Sequence, residues 1–133
     1  MSRMLFVNLP VRDLQKSMAF FTALGFTYNQ QFTDEKAACM IVSDKAFVML
    51  LTEPFFRGFM KNELCDTSRY TETLLALSCE SRDDVNQMVQ KAIEGGGRPA
   101  MDATDHGFMY SWSFYDLDGH HWEVMWMDPG AVQ

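Results

Sequence analysis

The sequence predicts an α+β domain of paired βαβββ modules, with mixed sheets and flanking helices. Three observations predict it. A strand pattern, a capped amphipathic helix and three further strand-like runs occur twice in the same order. Both helix patterns stop at glycine. The chain has 133 residues, the length of one ordinary domain, so the two units are halves of one fold rather than separate domains.

In the first unit "RMLFVNLPV" alternates, with Leu5, Val7, Leu9 and Val11 on one face of a strand and Phe6, Asn8 and Pro10 on the other. Asp13 is placed to cap a helix whose apolar positions are Leu14, Met18, Phe21 and Leu24, and Gly25 closes it. Three strand-like runs follow, "FTYNQQF", "AACMIV" and "AFVMLLT", separated by the turn compositions "TDEK" and "SDK". In the second unit "TLLALSCE" is a strand, and Ser81 with Asp84 three residues on resembles a capping box. Val85, Met88, Val89, Ala92 and Ile93 line one face of the second helix, which ends at Gly95–Gly97. The runs "RPAMD", "FMYSWSFY" and "HHWEVMWM" complete the repeat. Two such sheets would share a concave face. Module 1 covers about residues 1–53 and module 2 about 72–128 of a single 1–133 domain. The linker, about 54–71, carries Phe55, Phe56 and Phe59 and reads as a short helix or lid over something apolar, or as an arm toward a second subunit.

Composition excludes several classes. A net charge of −7 argues against a nucleic-acid partner, which needs a basic face. No apolar run approaches the ~20 residues that cross a bilayer, so no membrane partner is expected, and the N-terminus shows no separate apolar signal region. Cys39, Cys65 and Cys79 are odd in number and widely spaced, which argues against a disulfide framework and makes the cytoplasm the expected compartment. There is no nucleotide-type glycine loop, no G-x-S-x-G elbow and no cysteine recognisably paired with a histidine. Eleven methionines and eleven phenylalanines give either a soft core or a cavity lined by adaptable side chains.

The stretches "FVNLPVRDLQKSMAFFTALGF" and "SFYDLDGHHWEVMW", with the repeat order, resemble the vicinal oxygen chelate superfamily. That superfamily contains glyoxalase I, the bleomycin and fosfomycin resistance proteins and extradiol dioxygenases. The resemblance implies a cup-shaped half-barrel, often completed in a homodimer. It also implies four metal-ligand positions, which fall here on Phe6, Met49, Leu74 and Glu123. Superposing the two units pairs Phe6 with Leu74 and Met49 with Glu123. Only Glu123 is a usual ligand for a divalent ion, so a divalent metal cofactor is disfavoured and no other cofactor is expected.

Glu123 is the leading catalytic or anchoring candidate, as a general base or hydrogen-bond anchor in an apolar cup. His121, two residues earlier on the same strand face, would orient it or donate a proton. Phe6, Asn8, Met49, Leu74, Tyr110 and Trp112 are the candidate ligand-binding residues, with the Tyr110–Trp112–Phe114 face expected to line the cup. Trp122 and Trp126 are expected to pack on the helix layer, His120 to be structural, and His106 to lie in a solvated loop. Two readings follow. One is a binding protein for a small hydrophobic or aromatic molecule in a metal-poor cup. The other is a metal-dependent lyase, isomerase or dioxygenase using Glu123. A glyoxalase would also need basic residues for glutathione's carboxylates, and the expected inward strand positions supply none.

Overall fold

An alternating run can bury only one of its faces, and "LFVNLPV" does so. In the computed structural model, which describes residues 2–131, it forms β1 (Leu5–Val11), with Leu9 and Val11 buried and Phe6 and Asn8 exposed. The Asp13 side chain accepts from the Lys16 amide and caps α1 (Leu14–Ala23). Gly25 follows at φ 105°, a conformation that suits glycine, and ends the helix. Next come β2 (Thr27–Asn29), a 3-10 turn over Gln30–Phe32, β3 (Ala37–Ile41) and β4 (Ala46–Thr52). The expected strand "FTYNQQF" is therefore shorter than its pattern. Asn29 turns the chain by accepting from the Gln31 amide.

The four strands form a sheet in the order β1-β4-β3-β2, with β1 and β4 parallel and the other pairs antiparallel. One face packs on α1 through Leu9, Val11, Met40, Val48 and Leu50 against Leu14, Phe20 and Phe21, all buried. Tyr28 ties this layer together by donating its hydroxyl to the Met18 carbonyl at 2.8 Å. The other face carries Phe6, Asn8, Phe47 and Met49. The linker begins with α2 (Glu53–Arg57), whose Phe55 lies 5.2 Å under Lys36 Nζ and 5.2 Å from the Phe59 ring. The linker's first part is thus a short helix, as expected.

The chain divides into two compact units, Met1–Leu64 and Cys65–Gln133. In the second, β5 (Leu74–Ser78) leads to α3 (Arg82–Glu94), capped by Ser81 accepting from the Asp84 amide at 3.0 Å while Asp84 accepts from the Glu80 amide at 3.2 Å. The run "RPAMD" becomes only β6 (Arg98–Pro99), and an additional strand, β7 (Thr104–Asp105), precedes β8 (Met109–Tyr115) and β9 (His121–Met127). The sheet order is β5-β9-β8-β6, with β7 also on β8. Proline at position 99 has no N–H to continue the ladder, and the Met101 amide goes instead to the Ser113 hydroxyl at 2.8 Å. This sheet packs on α3 through Trp122, Val124 and Phe114 against Val85, Val89 and Ala92, all fully buried. The molecule is therefore α+β, with two mixed sheets and flanking helices.

The turn between β8 and β9 is tight. Gly119 sits at φ 81°, and a Cβ added there would lie 2.6 Å from Thr67 Oγ1, whose hydroxyl donates to the Asp118 carbonyl. Gly119→Ala should cost about 1–3 kcal/mol, read as a lower urea midpoint with an unchanged slope. Adding Thr67→Ala should recover only part of that loss, because the positive φ remains; full recovery would show that contact with Thr67, not backbone strain, was the whole effect.

Candidate functional site

The β8–β9 turn is organised by Asp116. Asp116 is 4% exposed, and its carboxylate accepts from the Asp118 amide at 2.9 Å, the His120 amide at 3.0 Å and the Trp122 indole N–H at 2.9 Å. Burial pushes this carboxyl above the ordinary aspartate value, although His120 and the three donors pull it down. The turn closes on the pair Tyr115–His121, and residues directly opposite in an antiparallel ladder share a face. Tyr115, Ser113, His121 and Glu123 therefore stand on the face away from α3, and Phe114, Trp112, Trp122 and Val124 on the α3 face.

On the helix-free face His121 Nε2 and Glu123 Oε2 are 3.3 Å apart. The His121 side chain is 9% exposed and that of Glu123 32%. Their register partners on β5 are Leu74 and Ala76, both exposed. On β8 the Tyr115 ring meets His121 edge-on at 5.3 Å, and the Arg98 guanidinium lies 5.0 Å over that same ring. One row across four strands therefore runs Leu74, His121, Tyr115, Arg98. Arg98 and Tyr115 were missed from sequence. Arg98 corrects the expectation that no basic residue occupies this face. The signal for both was the pairing of "RP" with "FY", which the interrupted "RPAMD" strand concealed.

In the first unit Phe6 stacks on Phe47 at 5.0 Å and remains 48% exposed. Asn8 is in register with half-buried Met49. Asn8 is exposed rather than buried, and its amide donates locally to the Phe6 carbonyl at 3.4 Å. Tyr110 and Trp112 do not stand where the sequence placed them. Both are on the α3 face: the Tyr110 hydroxyl donates to Asn86 Oδ1 on α3 at 2.6 Å, and Arg82 lies over Tyr110 and Trp126 at 5.6 and 5.0 Å. Arg82 also pairs with Asp105, closing a clasp between α3 and the β7–β8 hairpin. Trp122 and Trp126 are on the helix layer as expected.

Two of the three cysteines are poorly placed to act as nucleophiles. Cys39 is buried, and Cys79 is pushed up to about 12 by burial and by the Asp84 carboxylate. Cys65 is exposed, and among the described residues its thiol lies 3.8 Å from the Tyr70 carbonyl. His106 is in the turn before β8, its amide donating to the Met109 carbonyl at 2.8 Å.

The family model described as the Glyoxalase/Bleomycin resistance protein/Dioxygenase superfamily matches residues 3–124. The chain belongs to this superfamily. Among solved structures, the hypothetical protein SA1046 from S. aureus is 30% identical, with a TM-score of 0.80 over 94% of each chain. A glyoxalase/bleomycin resistance protein/dioxygenase family enzyme from Burkholderia phytofirmans PsJN is 14% identical, with a TM-score of 0.77 over 95% of this chain and 99% of that one. The fosfomycin resistance protein FosX from Listeria monocytogenes is 16% identical, with a TM-score of 0.69 over 100% and 99%. No curated protein matches the chain.

Metal-using members of this superfamily make a divalent ion the obvious cofactor to test against the residues present. They do not fit one. Phe6 and Leu74 offer no donor, and Met49 offers only a thioether, a soft ligand unsuited to zinc, nickel or manganese. His121 and Glu123 are bonded to each other, and the adjacent Ser113 hydroxyl is engaged by Met101. Among the described residues, no group of three or more His, Cys, Asp or Glu side chains could hold a metal ion, whereas such sites need about three protein donors.

Asp116→Asn replaces an acceptor with a donor facing one of three N–H groups, and should cost about 1–3 kcal/mol. Because the folded carboxyl titrates above its ordinary value, its contribution to stability is full below the ordinary aspartate range. That contribution is lost as pH rises through the raised value. The stability gap between wild type and Asp116→Asn, from urea titrations at a series of pH values, should therefore narrow as pH rises. A gap that widened would reverse the sign of the shift.

Proposed function

We propose that the chain binds a small hydrophobic or aromatic molecule on the helix-free face of the second sheet, with the His121–Glu123 pair as its polar anchor and no resident divalent metal. The observation that carries this reading is the composition of that face: one hydrogen-bonded imidazole–carboxylate pair set beside exposed Leu74 and Ala76. Leu74 is 57% exposed, and a side chain of that size at the edge of a sheet gains by being covered. Glu123, tied to His121 through one oxygen, retains acceptor capacity for a ligand hydroxyl or N–H. A carboxylate a third exposed is better suited to hydrogen bonding than to acting as a desolvated base.

The metal-enzyme reading requires a donor set that the described residues lack. Self-association belongs to the same proposal, since β1 and β5 are both edge strands and expose Leu5, Phe6 and Leu74. Native mass spectrometry of the purified chain, alone and with manganese, iron, nickel and zinc added in turn, is the deciding experiment. A metal-free species, dimeric at micromolar concentration, is expected. One stoichiometric, chelator-reversible metal per chain would overturn the reading.

Two variants sharpen it. Leu74→His sets a third donor beside His121 in register and should create chelator-reversible zinc binding in a chain that otherwise has none. If zinc still fails to bind the folded variant, His121 and Glu123 are not free to act as ligands. Glu123→Gln should keep the urea midpoint and weaken binding of a neutral phenolic amide, para-hydroxybenzamide, about tenfold, the loss of one charge-assisted hydrogen bond. Unchanged affinity in a calorimetric titration would remove Glu123 from the site.

A further inference from the structure

The row that ends at Arg98 carries a second recognition element. We infer that the ligand is a planar aromatic monocarboxylate, its acid group taken by Arg98 and a hydroxyl or N–H at its far end taken by the His121–Glu123 pair; this rests on the proposed site and names its ligand class. Arg98 is exposed, and among the described residues no carboxylate pairs with it. Arg98 thus brings a cationic side chain to the same face as the His121–Glu123 pair, in a chain of net charge −7.

The geometry favours a carboxylate. The guanidinium carbon lies over the Tyr115 ring, 5.0 Å from its centroid. No described carboxylate takes up the Arg98 N–H donors, and two donors of the guanidinium fork match the two oxygens of one carboxylate. Tyr115 is fixed in turn by edge contact with His121, so the cation and the imidazole–carboxylate pair are held on either side of one aromatic ring. Arg98 sits on β6 and His121 on β9, two strand spacings apart, or about 10 Å. A single aromatic ring with an acid at one end and a donor at the other, plus a hydrogen bond at each end, spans that length. The carboxylate of Glu123 repels a second acid group, which restricts the ligand to one. Leu74 and Ala76 border the Glu123 end with apolar surface.

The test is calorimetric titration of wild type, Arg98→Gln and Arg98→Lys with para-hydroxybenzoate, para-hydroxycinnamate and the neutral para-hydroxybenzamide. Wild type should bind the better acid about tenfold tighter than the amide, and added salt should narrow the difference. Arg98→Gln should lose that tenfold for the acid and leave the amide unchanged. Arg98→Lys, which keeps charge but not the fork, should recover only part. Equal binding of acid and amide, or an acid affinity indifferent to Arg98→Gln, overturns the inference while leaving the proposed site standing. Failure of wild type to bind both the acids and the amide overturns the site and the inference together.

Discussion

The second unit depends on one buried carboxylate. Asp116 accepts two backbone N–H groups of its own turn and the indole N–H of Trp122, a large, fully buried side chain of the core. A single side chain thereby fixes the turn and ties it to the helix–sheet core. Burying a carboxylate is costly unless its lone pairs are taken up, and here burial still outweighs three donors in setting the proton affinity. What the turn achieves is parity. By closing on Tyr115 and His121 it puts His121 and Glu123 on one face and both tryptophans of β9 on the other. A slip of one residue would put the tryptophans into solvent and the His121–Glu123 pair under α3.

The two units keep one register but divide the chemistry unequally. Phe6 faces Phe47 and Asn8 faces Met49 in the first; Leu74 faces His121 and Ala76 faces Glu123 in the second. His121 thus corresponds to Phe47 and Glu123 to Met49. Where the first sheet holds a stacked aromatic pair and a thioether, the second holds an imidazole and a carboxylate. The repeat supplies equivalent frameworks, and the hydrogen-bonded imidazole–carboxylate pair stands at these positions in the second alone.

The fold was legible because its signals are local. Asp13, Ser81 and Gly25 fix helix ends through short-range hydrogen bonds and a positive φ, and the alternation of "LFVNLPV" fixes a buried face without reference to anything distant. The superfamily and the β9 pair His121–Glu123 were legible for the same reason. Tyr110 and Trp112 were misplaced because their face is decided by pairing across the turn, not by their own alternation. The period of β8 shows that they share a side, but only the closing pair Tyr115–His121 shows which side. Arg98 was hidden by a strand that lasts two residues before Pro99 ends its hydrogen bonding. The buried role of Asp116 could not be read from a turn composition in which an exposed aspartate is equally at home.

A carboxylate bonded to an imidazole is weak on its own when, like Glu123, it is a third exposed, since water competes for the same lone pairs and the pair is worth little at partial exposure. Its value is directional. Bonding to His121 limits the positions open to the Glu123 side chain, so in the proposed site a ligand donor would meet an acceptor already oriented rather than one that must be ordered on binding. On the proposed reading, affinity would then have to come from the apolar body of the ligand, with Leu74 as the surface for it. A metal would invert this division, making charge the main term and requiring the donors that Phe6, Met49 and Leu74 do not offer. With those positions apolar, the proposed site would select on shape and burial first, its polar groups choosing among the molecules that fit.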